Sequence, residues 1–254
     1  MRIPYFILLA CLLAPAWVTG QNALNNDSQR TGPWKGYYSD STLRYEAVFS
    51  NGKPVGLMKR YDEKGALTAT MDYYPGTDRC HVTTYYRDGS VKTEGIYDNK
   101  QKDSTWHYLG SNGTLRMTEN YAQGTLSGVN ETFYPSGNLS MRLYYKNGNR
   151  HGPWVKFFEN GDTMLVANYR DDKLHGDYKT FYPASEPQIS GTYHSDEKDG
   201  DWNYYSEEGE LVTVIRYDKG EVLNPEELER IYETFIKQLE DTEGTIPDPA
   251  LGPE

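Results

Sequence analysis

Cysteine is almost missing from this chain. Only Cys11 and Cys80 occur in 254 residues, and Cys11 falls inside an apolar N-terminal run. With that run removed as a leader, Cys80 has no partner and no internal disulfide can hold the fold. Apolar residues are also scarce, at 37%, and Phe numbers 7 against 23 Tyr. That balance predicts a thin core and much surface, because an aromatic with a polar tip suits half-wet positions. Positive charge is short: the formal net charge is −11. Such a surface repels phosphate backbones and anionic headgroups, which excludes nucleic acid and disfavours direct lipid binding. The longest apolar run, Ile3 to Val18, is shorter than the roughly 20 residues of a spanning helix. Gly-x-Ser-x-Gly, a phosphate-binding Gly-Lys-Ser/Thr loop and His-Glu-x-x-His are all lacking. The expectation is a protein that is not an enzyme and carries neither cofactor nor metal.

The N-terminus reads as a secretory signal over 1–20. Met1-Arg2 supplies the charge, Ile3 to Val18 the apolar region, and Val18-Thr19-Gly20 the small-residue site, with cleavage near Gly20/Gln21. This predicts a secreted or periplasmic protein. Leu8-Leu9-Ala10-Cys11 resembles a lipobox, the alternative being a lipoprotein anchored through Cys11, but the apolar run continues past it. Residues 21–31 read as a flexible leader.

What the chain does have is a period. Stepping by 24 from Gly32 meets Gly56, Cys80, Ser104, Gly128, Gly152, Gly176 and Gly200. Position 18 of each repeat is aromatic without exception: Phe49, Tyr73, Tyr97, Tyr121, Tyr145, Tyr169, Tyr193 and Tyr217. Trp34, Trp106, Trp154 and Trp202 all occupy position 3. Eight repeats therefore run from Gly32 to Leu223 without insertion or deletion. Each contains an aromatic-rich run, a turn such as Asp88-Gly89 or Asn112-Gly113, an alternating run such as Leu139, Met141, Leu143 and Tyr145, and a second turn such as Asn147-Gly148. Period two and Asn-Gly turns specify a β-hairpin. The fold class is all-β, an extended antiparallel sheet of eight hairpins whose stability is nearest-neighbour in kind. Segment 224–241 reads as a capping α-helix, with Asn224 as N-cap, Pro225 at the first helical position and Glu227 completing a capping box. Its apolar stripe is Leu228, Ile231, Tyr232, Phe235, Ile236 and Leu239. The Pro-rich acidic segment 242–254 reads as a disordered tail.

The phrase Gly-x-Trp-x-x-Phe/Tyr-Phe/Tyr followed by Gly-x-Leu and Tyr-x-x-Gly-x-x-His-Gly, clearest from Gly128 to His175 and from Gly200 to Leu223, resembles the MORN repeat in its bacterial, YwqK-like form with an antitoxin label. The resemblance implies a hairpin sheet that works in protein interaction, scaffolding or membrane association. It departs at Cys80 in repeat three, and in repeat seven, where Pro183, Ala184, Ser185 and Glu186 replace the Gly turn. A distorted turn is expected there. The function expected is an exported interaction or scaffolding module with a protein partner. The alternatives are a glycan- or cell-wall-binding protein using a Tyr/Trp strip, and an antitoxin- or immunity-type neutraliser of a partner protein.

Two sets of residues compete for a chemical role. His151 and His175 are either a metal or acid–base pair or, as the 24-residue spacing favours, turn residues carried along by the repeat. Tyr38, Tyr86, Tyr134, Phe158 and Tyr182 at position 7 neighbour the position-6 aromatics and should face the other way. They are either packing residues or an exposed strip that binds a peptide, glycan or protein.

Overall fold

The computed structural model describes residues 21–242, with side chains to 233. The leader over 1–20 with Cys11, the acidic tail from 243 on, and the side chains of Phe235, Ile236 and Leu239 lie outside the described residues. Among the described residues are twenty strands and one helix, Pro225–Thr242. They form two compact parts, one ending at Thr77 and the other beginning at Asp78. The first holds repeats one and two up to Thr77, and the second holds repeats three to eight and the helix.

Repeat five shows the construction. Gly128–Phe133 and Leu139–Lys146 pair antiparallel, Gly128 opposite Tyr145 and Thr132 opposite Met141. The outer side of the second strand then pairs with Asn149–Phe157, Met141 opposite Lys156. The first turn is set by a residue at position 10 in the left-handed region, for example Gly137 at φ 93°. Its N–H donates to the carbonyl of position 7, Tyr134, at 2.9 Å. Just before this turn a β-bulge lies between positions 5 and 6 of every repeat. The second turn carries two consecutive positive-φ residues, as at Asn147-Gly148 and Asp171-Asp172. That is the signature of the type I′ hairpin, whose twist matches the strands.

The two turns also join neighbouring repeats. The N–H at position 21 donates to the carbonyl at position 23 of the preceding repeat: Gly124 to Lys102, Gly148 to Leu126, Asp172 to Arg150, Asp196 to Leu174 and Gly220 to Lys198, at 2.8–3.0 Å. At the other end of the hairpin, the position-7 Tyr hydroxyls donate to the position-6 carbonyls of the following repeat. Tyr38 reaches Tyr61, Tyr86 reaches Leu109, Tyr134 reaches Phe157 and Tyr182 reaches Tyr205, at 2.7–3.0 Å.

The core is one face of the sheet within each part. Position 16 is filled by Ala47, Leu143, Ala167 and Ile215, and position 3 by Val82, Trp106 and Trp202, all buried. Where position 16 is Gly, an indole lies on it. A Cβ on Gly95 would come within 2.4 Å of the Trp106 ring, and one on Gly191 within 2.3 Å of Trp202. The position-18 row is buried or half-buried throughout. It packs against these indoles, Tyr97 on Trp106 at 4.9 Å and Tyr193 on Trp202 at 5.0 Å between ring centroids. Ion pairs such as Arg142–Glu131, at 2.8 Å, lie at the alternate positions.

Three local expectations are corrected. Residues 21–31, read as a flexible leader, are folded: Ala23–Leu24 pairs with Arg30 and Thr31, and Ala23 accepts the Trp34 indole N–H at 3.0 Å. The Asn224 side chain does not close a capping box. It accepts from the Arg216 N–H at 2.7 Å and donates to the Val214 carbonyl at 2.8 Å, so it plugs the last strand's edge. Asn22 does the same at the first strand, bonding the N–H and the carbonyl of Lys35. Plugging edge groups with a carboxamide protects a sheet from adding strands there. Cys80 does not simply replace a Gly. Gly32, Gly56, Ser104, Gly128, Gly152, Gly176 and Gly200 have positive φ at position 1, and Cys80 does not. Its thiol is buried, and burial pushes its pKa up, which makes it a poor nucleophile. In repeat seven the turn keeps the usual hydrogen bonds, Tyr182 N–H to Glu186 and Ser185 N–H to Tyr182. The distortion sits in two non-glycine residues with positive φ, Ala184 at 74° and Ser185 at 71°.

Removing Gly128 to His151, one full repeat, joins Ser127 to Gly152 in register and should leave a cooperatively melting protein. Removing Gly128 to Leu139, half a repeat, reverses the side-chain alternation and should abolish the thermal transition followed by circular dichroism. Ala184→Gly relieves a left-handed alanine costing about 1 kcal/mol. The melting temperature should rise by roughly 2–4 °C for a protein of this size.

Candidate functional site

The five position-7 residues are all half-buried. Four of them spend their hydroxyl on the next repeat, as described above. The fifth, Phe158, has no hydroxyl to spend. Phe158 and Tyr182 alone among the five line a groove, together with Lys156, Met164, Leu165, Thr180, Phe181, Pro183 and Gln188, of about 400 Å³. This groove shares Tyr182 and Gln188 with a larger cleft of about 800 Å³. The cleft runs past Tyr204, Tyr205, Val212 and Thr213 to Arg230 and Ile231 of the helix, with Ser206, Glu207 and Glu208 at its rim. Tyr38, Tyr86 and Tyr134 take no part in it.

The cleft exists because of the helix. Leu228 and Ile231 pack against the cluster of Trp202, Ile215 and Tyr217, beside Tyr204 and Ile189. Glu227 anchors the first helical turn by accepting from the Thr213 hydroxyl at 2.6 Å and by pairing with Arg230. One wall is therefore sheet and the other helix. The Tyr204 hydroxyl is pushed above its ordinary pKa, chiefly by burial, and stays protonated as a donor. Apolar faces with a few polar groups and an acidic rim suit a polypeptide or a sugar.

The two histidines of the 24-residue spacing have different neighbours. His151 Nδ1 lies 3.2 Å from Asp171. The His175 ring stacks tilted on His194 at 5.2 Å, and its Nδ1 is buried without a hydrogen-bond partner. Burial, then Arg170 and His194, lower its pKa. Among the described residues no cluster of three His, Cys, Asp or Glu side chains could hold a metal ion. Neither is the turn residue the spacing suggested: His151 lies within the strand Asn149–Phe157, and His175 lies between the short strands Lys173–Leu174 and Gly176–Phe181.

A second pattern escaped the sequence reading. Each Trp at position 3 is preceded, four residues earlier, by a cation: Arg30, Lys102, Arg150 and Lys198. Each cation lies over the position-18 ring of the same Trp's repeat, 5.2 Å from Phe49, 4.8 Å from Tyr121, 4.3 Å from Tyr169 and 4.9 Å from Tyr217. Such stacking contributes about 0.5–1 kcal/mol per pair where exposed. At Lys102 it includes a carboxylate. Glu119 accepts from Tyr108 and, at 2.7 Å, from Tyr121, with Lys102 at 3.6 Å. Burial and the Glu119 hydrogen bond push the Tyr121 hydroxyl up to about 12. With every member partnered, the network holds a charge on the aromatic face. The i to i+4 spacing along one strand was visible in the sequence, but nothing there said that the cation reaches a ring on the following strand.

The geometry defines a class, a β-hairpin repeat protein with a helix-walled cleft at its last repeats. Residues 30–51, 81–99 and 126–147 match the MORN repeat variant, and the chain carries repeats of that variant form. No curated protein sequence matches it. Solved structures with local likeness include a GtfA/B complex bound to UDP and GlcNAc, at 15% identity over 57% of this chain with TM-score 0.19. A TcdB2-TccC3 structure has 12% identity over 76% with TM-score 0.21. The Photorhabdus luminescens Tc holotoxin pore has 9% identity over 76% with TM-score 0.17. The chain spans 26%, 13% and 14% of those chains, respectively. Likeness at that level says nothing about function.

His175 gives a pH dependence. Its folded pKa lies below the ordinary 6.5, so the unfolded chain binds the proton more readily. Stability from this residue is complete above the unfolded value and is lost as the pH falls through it towards the folded one. The melting temperature should drop on going from pH 7.5 to 5.5, and His175→Gln should flatten that part of the profile.

Proposed function

We propose that this chain is an exported, non-enzymatic interaction module that holds a partner protein in the cleft between repeats seven and eight and the C-terminal helix. Repeats of the MORN kind generally serve in protein or membrane interaction. The observation that carries the reading is the joining of groove and cleft through Tyr182 and Gln188. Together they form one amphipathic channel with an aromatic floor and an acidic end. A net charge of −11 favours a cationic partner surface over nucleic acid or anionic lipid. A neutralising role of the antitoxin kind would use the same channel. The leader sequence supports export.

The alternative of glycan binding draws on the same side chains, since Tyr204 and Tyr205 beside Glu207 and Glu208 combine stacking surface with acceptors. A photo-crosslinking residue at Tyr205, with Asn112 in the turn of repeat four as the control position, separates the two readings in cells. One protein captured from Tyr205 and not from Asn112 is the expected result. No protein capture, together with retention on wall polysaccharide and Trp fluorescence quenched by soluble sugar, would replace the protein reading by the glycan one.

A further inference from the structure

In the second part of the chain, each repeat from three to seven offers the outer side of its second strand to the first strand of the next repeat. Position 14 meets position 5 every time: Thr93 and Tyr108, Met117 and Thr132, Met141 and Lys156, Leu165 and Thr180, Ile189 and Tyr204. In repeat eight the equivalent strand is Leu211–Asp218. Its inner side pairs with the strand Glu197–Tyr205, and near its end Tyr217 and Asp218 pair with Val222 and Glu221. Asn224 covers the edge as far back as the Val214 carbonyl. Beyond that, among the described residues, no strand pairs with Leu211–Val214 on the outer side. Leu211 and Val212 are 55% and 58% exposed. Thr213 is buried with its hydroxyl on Glu227 of the helix, so the open part of this stretch is Leu211 and Val212, and the 800 Å³ cleft containing Val212 and Thr213 lies beside it.

We infer that the edge Leu211–Thr213, short of the Asn224 plug, and the adjoining cleft accept an extended segment of a partner protein, added as a strand where a ninth repeat would lie, with an aromatic residue for the cleft and a basic residue for its acidic rim. This rests on the reading above that the cleft binds protein, and it specifies how. The first argument is continuity. The edge is the same interface that seats a first strand in five preceding pairs, so backbone hydrogen bonds and side-chain alternation are already arranged for one. The second is the chemistry of the strands that fit it. Four of the five seated in this part end in an aromatic residue, Phe133, Phe157, Phe181 and Tyr205, and the fifth ends in Leu109. The third is charge. Glu207 and Glu208 stand at the cleft rim, and Arg230 is engaged with Glu227.

The test uses the full chain and a labelled heptapeptide, Gly-Pro-Trp-Val-Lys-Phe-Phe, which is the first-strand sequence of residues 152–158. Fluorescence anisotropy should show saturable binding that weakens with salt. Amide exchange at residues 211–213 should slow in the complex. Methylating alternate peptide nitrogens removes ladder hydrogen bonds and should weaken binding about tenfold or more. The double change Glu207→Lys and Glu208→Lys, on an exposed turn, should weaken it too while the melting temperature stays put. If the methylated peptide binds equally, or exchange at 211–213 is unchanged while the peptide binds, strand addition is wrong although a protein site in the cleft survives. If neither peptide binding nor crosslinking from Tyr205 occurs, both readings fall. If the chain alone sediments as a dimer with 211–213 already protected, the occupant is a second copy and the proposal is overturned. If soluble chitooligosaccharide, and not the peptide, binds with perturbation of Tyr204 and Tyr205, a glycan is the occupant and the proposal is likewise overturned.

Discussion

A single backbone hydrogen bond between successive turns is what the rest of the architecture depends on. It runs from the N–H at position 21 to the carbonyl at position 23 of the preceding repeat. It forms because the type I′ turn holds two residues at positive φ and points that N–H along the stack. At Asp172 the bond is reinforced. The Arg150 N–H donates to the Asp172 carboxylate at 2.9 Å, and its guanidinium donates to both the carboxylate and the carbonyl. These contacts hold the Asp172 carboxyl below its usual range. An added or lost residue in either strand would carry the turn away from its neighbour. The invariant spacing of 24 is the sequence record of that constraint.

The aromatic face follows from this spacing. With repeats locked one above another, position 3 of one repeat lies across from position 16 of the last, and the two must share volume. Trp106 and Trp202 are accommodated by Gly95 and Gly191. Trp154 lies instead across from Leu143, and its indole nitrogen is buried without a partner. The indoles of Trp106 and Trp202 donate to the carbonyls of Ile96 and Thr192. An unmet buried donor costs about 1–3 kcal/mol. The cations four residues ahead of each Trp roof the rings and supply a polar surface to a face that would otherwise be apolar. A thin sheet can thus keep large aromatics out of water with few aliphatic residues.

Much of this was legible. The repeat boundaries, the hairpin turns and the position-18 row follow from a period of 24 and from Asn-Gly chemistry, and the existence of the helix from Pro225 and the apolar stripe behind it, all of them local properties. The bulge between positions 5 and 6 was not legible, because it is a feature of pairing and no single residue type marks it. Nor was the use made of position 7. A Tyr in a turn reads the same whether its hydroxyl meets water or the carbonyl of Tyr61, Leu109, Phe157 or Tyr205. Asn22 and Asn224 looked like ordinary loop and cap residues, and their real work is at strand edges brought near by the fold.

The sequence by itself determined the unit and its count, since turn conformation and side-chain alternation are short-range and each repeat carries them complete. The tertiary structure alone decided where that regularity is broken. The helix seats Leu228 and Ile231 on Trp202, Ile215 and Tyr217, and among the described residues Leu211 and Val212 have no strand on their outer side. The cleft arises at that break, where the helix stands in place of the next copy of the interface. Which copy is missing depends on how distant segments pack.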